Sequence, residues 1–104
     1  MVRFWFPGDP TVRPMVELWL KARSEGRVLT DDDLRANDCY FANHRYGELW
    51  FLLNEGTIFV PSYMNQRHVP GMHGFDPQAP HSAACWLTNH DHYPAPKRIE
   101  GIND

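Results

Sequence analysis

The sequence predicts an α+β fold, a small and mostly antiparallel sheet with a packed helix. Two observations predict it: an amphipathic segment near the start, and two β-prone runs around a short turn containing glycine. Helical spacing of apolar residues marks a helix, and β-prone runs joined by a short turn mark neighbouring antiparallel strands. Since 104 residues make one domain at most, we treat residues 1–104 as a single domain.

A strand and a helix are predicted in the first part of the chain. Arg3 to Phe6 is a short aromatic run closed by a turn of proline and glycine, which is typical of a strand. The apolar positions of the following segment recur at helical spacing: Val12, Met15, Val16 and Trp19. This spacing predicts a helix from Val12 to Ser24, with Thr11 as its N-cap and Gly26 as its stop. A Met and Trp stripe also suits a partner-binding face, but such a side more often packs on a sheet, so we assign it to the core.

A second, shorter helix is predicted to begin at Thr30. An acid three residues after this Thr approximates a capping box, and the acids Asp31, Asp32 and Asp33 place negative charge at the positive end of the helix. Three adjacent carboxylates also suggest a metal site. Adjacent helical positions point about 100° apart, however, so these carboxylates do not converge on one ion, and the capping role is favoured.

The middle of the chain predicts a β-hairpin. Glu48 to Leu53 and Thr57 to Val60 are β-prone runs, and Asn54 to Gly56 joins them with glycine in the last position. A connection of this kind is typical of a hairpin with a bulge. A long loop follows, and the apolar run Ala83 to Leu87 after it predicts a short buried strand.

Net charge, the first residues and the cysteines limit the classes of ligand, location and metal site that we expect. A net charge of −3 gives no reason to expect binding to a nucleic-acid polymer or to an anionic membrane. The first residues fit neither a signal peptide nor a membrane span, so the cytoplasm is the default expectation. Cys39 and Cys85 lack the spacing of a metal knuckle, and we expect both to be reduced and buried.

Histidines are the strongest sign of chemistry in the sequence. Of the six histidines, all except His44 follow the predicted hairpin, and imidazole and carboxylate ligands make zinc the natural candidate metal. His90 and His92 would share one face of an extended segment, as in a metal site, whereas the same residues in a surface turn would bind nothing. They are therefore weaker metal candidates.

His73 is the main candidate, because it lies between Gly71 and Gly74 in a loop stiffened by prolines. A histidine on a tight loop just before a core strand is placed like a site residue, since loops carry chemistry that strands hold in position. The alternative is an ordinary solvated histidine. The sequence shows no G-x-S-x-G elbow and no glycine loop for phosphate, so we assign no catalytic nucleophile and do not expect a complete enzyme from this chain alone.

The segment Gly71 to Asp76, with the sequence GMHGFD, resembles the late G-x-H-G-x-D motif of the type I phosphodiesterase/nucleotide pyrophosphatase family, in the alkaline phosphatase superfamily. Weaker likeness extends over Arg3 to Phe6, Arg45 to Leu49, Pro61-Ser62 and Ala83 to Thr88. Nearly the whole chain is thus similar to the C-terminal part of such an enzyme. The resemblance implies a C-terminal piece of an alkaline-phosphatase-like α/β fold.

The resemblance also implies a chemistry. Family members hydrolyse phosphoesters with two metal ions, usually zinc, and a Thr or Ser nucleophile. The resemblance implies that His73 is a ligand of one metal ion. Asp76 matches the acid that follows in the motif, where a carboxylate would orient the imidazole of the ligand. Pro77 stands where many relatives carry Asn, which changes the local hydrogen bonding. The family's nucleophile and earlier Asp and His ligands match nothing in this chain and belong to a region upstream of it.

Two expectations follow, and the residues alone leave both open. In the first, the chain is the C-terminal portion of a zinc-dependent enzyme that acts on a phosphoester or nucleotide, and by itself it binds zinc weakly and is inactive, because one imidazole does not hold the ion against water. In the second, it is a small non-catalytic binding or interaction module that uses its aromatic surface and proline-rich loop. A zinc protein built on His90 and His92 is a third, weaker possibility.

Overall fold

The computed structural model describes residues 1–62, 66–67, 69–85, 87 and 89. The elements in chain order are β1 (Val2–Phe4), α1 (Val12–Lys21), β2 (Gly26–Leu29), α2 (Asp31–Ala36), β3 (Leu49–Leu53) and a short 3-10 helix (Pro80–Ser82). The strands form one antiparallel sheet in the order β1-β3-β2. The predicted α+β fold, an antiparallel sheet with a packed helix, is confirmed.

The central strand β3 organises the sheet. All of its residues are buried, from Leu49 to Leu53. Phe4 of β1 lies opposite Leu49, and Leu29 of β2 lies opposite Trp50. Since successive side chains of a strand point to opposite faces, a continuous apolar run requires that both faces of this strand be covered.

The main core lies between α1 and one face of β3. Leu20 of α1 joins Leu49, Phe51 and Leu53 in a buried cluster, and Val16 packs against it. Val16 and Leu20 are one helical turn apart, so they present one side of α1 to the sheet. The packing of this side against the sheet holds the helix, which is too short to be stable alone in water.

A glycine fixes the entry into β3. Gly47 has a φ of 147°, which L side chains rarely adopt, and its carbonyl accepts a hydrogen bond from the Trp50 indole Nε1 at 2.9 Å. A Cβ at this position would lie 2.9 Å from the same nitrogen. The backbone therefore needs glycine here both for its conformation and for its close approach to the indole.

The predicted hairpin is wrong. A turn does follow β3, with the Thr57 N–H donating to the Asn54 carbonyl at 3.1 Å, but residues 57–60 form no strand. The Asn54 N–H donates instead to Glu25, the residue before β2, at 2.9 Å. Because β1 and β2 already occupy both edges of β3, a hairpin partner would have no edge to pair with.

Several predicted boundaries also differ. Helix α1 ends at Lys21 rather than Ser24, and Gly26 begins β2, a strand that was not predicted. Thr11 is the N-cap residue, but its hydroxyl donates to the Asp9 carboxylate and makes no capping bond. In the segment predicted as the last strand, residues 83–85 and 87 are described and are not in a strand.

The capping box of the second helix is confirmed. The Asp33 N–H donates to the Thr30 hydroxyl at 3.1 Å, and the Thr30 N–H donates to the Asp33 carboxylate at 2.7 Å. The bond from the Thr30 backbone, followed by those from its hydroxyl and from Arg27, lowers the pKa of Asp33. This carboxylate is therefore used in capping, as the sequence predicted, and Asp32 pairs with Arg35 at 2.9 Å.

Two further expectations concern the burial of the cysteines and the presence of a membrane-spanning helix. Cys39 and Cys85 are free thiols, as expected, but both are exposed, so the prediction that they are buried is wrong. Within the ranges given above, the structure contains no helix with the length and hydropathy required to cross a membrane.

Candidate functional site

His73 lies on the exposed loop that follows β3 and lines a cleft of about 450 Å³. The cleft is bounded by the turn after β3, which contributes Glu55, and by the loop itself, which contributes Met72, Phe75 and His81. The prediction that His73 lies in a loop is therefore confirmed. The neighbouring Gly74 has a φ of 89°, so the turn beside the imidazole requires glycine.

Two consecutive residues anchor this loop to the rest of the fold. Phe75 packs against the core cluster, as does Val28, while the Asp76 carboxylate Oδ2 lies 3.4 Å from the Arg27 guanidinium Nη2. The loop is thus anchored to the core cluster by Phe75 and to an edge strand by Asp76, within three residues of His73.

Asp76 also organises the turn that follows it. Its Oδ1 accepts a hydrogen bond from the Gln78 N–H at 2.9 Å, and its carbonyl accepts from the Ala79 N–H at 3.0 Å and from the Ser82 hydroxyl at 2.7 Å. Pro77 has no N–H, so the amide that reaches the carboxylate is that of the next residue. The contacts of Asp76 are therefore with Arg27 and with its own turn, and its orientation of the His73 imidazole stays a prediction.

Arg27 connects the loop to the second helix. Its Nη1 lies 3.0 Å from Asp33 Oδ1, and its Nη2 reaches Asp76. The hydrogen bond to Asp33, and more weakly that to Asp76, raises the pKa of Arg27. The guanidinium therefore joins the N-terminus of α2, the strand β2 and the His73 loop in one polar network.

A second contact joins two residues that line the cleft. His81 Nδ1 lies 3.1 Å from Glu55 Oε2, with the two side chains 87% and 34% exposed. This pair joins the turn after β3 to the 3-10 helix, and His73 lines the same cleft. In the sequence, His81 is only one of several histidines. Glu55 and Arg27 were not predicted, because no local pattern marks a partner that is distant along the chain.

Among the described residues of this cleft, His73 is the ligand that the sequence predicted for zinc. In the part of the chain that the structure describes, no group of three or more His, Cys, Asp or Glu side chains is placed to hold a metal ion. An exposed imidazole in a cleft suits one vertex of a zinc site, and a catalytic zinc needs about three protein ligands. His68 and the weaker candidates His90 and His92 lie outside the described residues.

The apolar stripe predicted on helix α1 was assigned to the core, but most of it is exposed. Of the predicted stripe, Val16 packs on the sheet, but Met15 is 71% exposed, Trp19 is 56% exposed and Val12 is 39% exposed. Leu20, which was not in the stripe, is the buried residue of the helix. The helix has two apolar sides, and the sequence alone does not indicate which of them packs on the sheet. The predicted stripe was therefore placed largely on the exposed side.

Comparisons of the chain with protein-family models, with characterised proteins and with solved structures gave no match.

Proposed function

We propose that this chain is the C-terminal portion of a metal-dependent phosphodiesterase or nucleotide pyrophosphatase, in which His73 supplies one ligand of a zinc ion. The observation that carries the proposal is the position of His73: the residue that matches the G-x-H-G-x-D motif is exposed in a cleft. An imidazole enclosed in the core would have no access to an ion. The anchoring of the loop through Phe75 and Asp76 supports it further, because a metal ligand must be held in one position.

The chemistry assigned to this chain is limited to holding that ligand. Two zinc ions supplied by the complete enzyme would stabilise the attacking and leaving oxygens of a phosphoester. His73 would bind through a neutral ring nitrogen, since a protonated imidazole has no lone pair to offer. The nucleophile and the remaining ligands would come from a region upstream, so the chain by itself should bind zinc weakly and hydrolyse nothing.

The substrate class proposed is a phosphoester or a nucleotide, and not a nucleic-acid polymer or a membrane surface. Net charge is −3 over the chain, and binding to a polyanion requires clustered Lys and Arg that release counterions. A small phosphoester is instead recognised by the metal ions of the complete site.

The test uses the protein extended upstream to the start of its reading frame. We expect this protein to contain zinc and to hydrolyse a nitrophenyl phosphodiester, and we expect His73→Ala to lower both the zinc content and the rate. His81→Ala is the matched control, because His81 lines the same cleft but lies outside the motif. Unchanged zinc and an unchanged rate in His73→Ala would remove this residue from the metal site.

A second candidate function is a non-catalytic interaction module. It is favoured by the large apolar side chains that α1 exposes, because an exposed apolar patch on a small domain often marks a binding surface. The two candidates differ in one measurement, since an extended protein without zinc and without phosphodiesterase activity would favour the module.

A further inference from the structure

Arginine and aromatic side chains form an exposed surface beside the edge strand β1. We name it the Arg3–Arg45 surface, and its residues come from β1, from the position after β1 and from the loop before β3: Arg3, Trp5, Phe41, Arg45 and Tyr46. Trp5 is 48% exposed, Phe41 is 42% exposed and Tyr46 is 38% exposed, and both arginines are exposed as well. Large aromatic side chains that stay exposed together often mark a site of interaction.

Direct contacts join these residues into one surface. The Arg3 Cζ lies 5.7 Å from the centre of the Trp5 ring, and the Arg45 Cζ lies 4.5 Å from the centre of the Tyr46 ring and 5.6 Å from that of Phe41. The Trp5 indole Nε1 donates to the Arg45 carbonyl at 3.2 Å, and the Arg3 Nη1 donates to the Tyr46 carbonyl at 3.4 Å. Guanidinium groups on aromatic rings are held by cation–π attraction, so the cations and the rings keep a fixed arrangement.

The two arginines of this surface have no acidic partner. In the part of the chain that the structure describes, no carboxylate lies within ion-pair distance of either guanidinium. By contrast, Arg27 lies 3.0 Å from Asp33, and Arg35 lies 2.9 Å from Asp32. The chain as a whole carries a net charge of −3, so this pair of positive charges is a local feature. Such charges are complementary to carboxylates, which a guanidinium binds through two parallel hydrogen bonds.

The size of the Arg3–Arg45 surface suits a short segment rather than a folded partner. The exposed parts of its three rings offer roughly 300 Å² together, whereas a stable interface between folded proteins buries about 800 Å² on each partner. Exposed aromatic rings accommodate the prolines of an extended peptide, whose conformation is largely fixed before binding and therefore costs little entropy. A nucleic-acid strand also stacks on aromatic rings, but its affinity depends on several cations along the phosphates, and this surface has two.

We propose that the Arg3–Arg45 surface binds an extended, acidic, proline-containing segment of another protein. Carboxylates of the segment pair with the two guanidiniums, and its proline rings pack on the three aromatic rings. Trp, Tyr and Arg are also the residues that most often carry the binding energy of protein interfaces. The inference uses no residue of the His73 cleft, so it does not depend on whether His73 binds zinc.

The experiment titrates a fluorescein-labelled peptide of alternating Glu and Pro with the 104-residue chain and follows fluorescence anisotropy. We expect saturable binding that Arg3→Met and Arg45→Met each weaken by about tenfold, because each removes a charged hydrogen-bond donor. Methionine keeps much of the apolar stem of arginine, so little packing is lost. Arg23→Met is the matched control, since the Arg23 Cζ also lies over a ring, 4.2 Å from the centre of that of Trp19, but outside this surface. It should leave the affinity unchanged.

A measurement on the unaltered chain does not depend on how the variants fold. Addition of the peptide should shift the NMR signal of the Trp5 indole N–H and leave that of Trp19 in place, with the two signals assigned from Trp5→Phe and Trp19→Phe. The absence of saturable binding would overturn the proposal, and so would equal weakening by Arg23→Met or equal binding of a peptide with Gln in place of Glu. Tighter binding of a labelled oligothymidine than of the acidic peptide would also overturn it, because the surface would then be one for single-stranded nucleic acid.

Discussion

The Arg27 guanidinium lies 3.4 Å from the Asp76 carboxylate, and these two residues join the edge strand β2 to the loop that presents His73 across 49 positions of sequence. The same guanidinium contacts Asp33 at 3.0 Å, so a single side chain links the start of α2 to this loop. The loop is therefore held by a long-range contact and not only by its own glycines and prolines.

Arg27→Met should loosen the loop without unfolding the domain. The Arg27 side chain is 49% exposed, so the pairs that it makes are screened by water, and we expect a loss of about 0.5 kcal/mol in the free energy of unfolding. The amides of Gln78 and Ala79, which donate to Asp76, should exchange with solvent faster. Hydrogen exchange measured by NMR tests this, with Arg35→Met as the control, because Arg35 pairs only with Asp32 in the same helix among the ion pairs described. Equal acceleration in both variants would show that Arg27 does not hold the loop.

Asp33 should make the stability of the domain depend on acid pH. Hydrogen bonds from Thr30, then the contact with Arg27, lower the pKa of Asp33 in the folded state. A group with a lowered folded pKa stabilises the fold above its unfolded pKa of about 3.9, and this contribution disappears as the pH falls through the folded pKa. Urea midpoints measured from neutral pH downwards should therefore fall less steeply in Asp33→Asn than in the parent chain.

Asp31→Asn is the control for this measurement. Asp31 belongs to the same first turn of α2, yet its side chain makes no hydrogen bond or ion pair with the residues that the structure describes. Its replacement should leave the acid slope of the urea midpoint unchanged. Thr30→Ala should lower stability at neutral pH by about 1 kcal/mol, since it removes the other half of the capping box.

Sequence reasoning succeeded where the determining contacts are local. The capping box at Thr30 and Asp33 was predicted from a spacing of three residues, and α1 was predicted from the repeat of its apolar positions, although its end was placed three residues late. The loop position of His73 followed from the glycines and prolines around it. In each case the interacting groups lie within one turn or one loop of each other.

Prediction from the sequence failed where the partners are distant along the chain. The β-prone run at Thr57 was paired with β3 because the two are adjacent in sequence, but β3 pairs with β1 and β2, which come much earlier. Arg27 gave no signal for the same reason, since its partner Asp76 follows it by 49 residues. Which apolar side of α1 meets the sheet is also a tertiary question, and the stripe containing Met15 was wrongly chosen.

Gly47→Ala should destabilise the fold at the entry to β3. Gly47 has a φ of 147°, and a Cβ there would lie 2.9 Å from the Trp50 indole nitrogen and 3.3 Å from the Arg3 Cβ. The strained backbone and the displaced indole should together lower the free energy of unfolding by about 1 to 3 kcal/mol. Gly8→Ala is the matched control, because nothing lies within 4 Å of its hypothetical Cβ and its φ is not in the positive range. Thermal unfolding of the two variants measures the difference, and a Gly47→Ala midpoint as high as that of Gly8→Ala would contradict this account of the turn.

Two leucines distinguish the buried side of helix α1 from its exposed side. Leu20 is 4% exposed and packs in the core cluster, whereas Leu18 is 73% exposed, and the two residues are identical in type and in secondary structure. Leu20→Ala removes buried methyl groups and leaves a cavity, so we expect a loss of about 2 to 5 kcal/mol in the free energy of unfolding. Leu18→Ala should change this free energy by less than about 0.5 kcal/mol, because it removes contacts with water and not with protein. Urea unfolding of the 104-residue chain compares them directly. A loss with Leu18→Ala as large as that with Leu20→Ala would contradict the exposed position of Leu18.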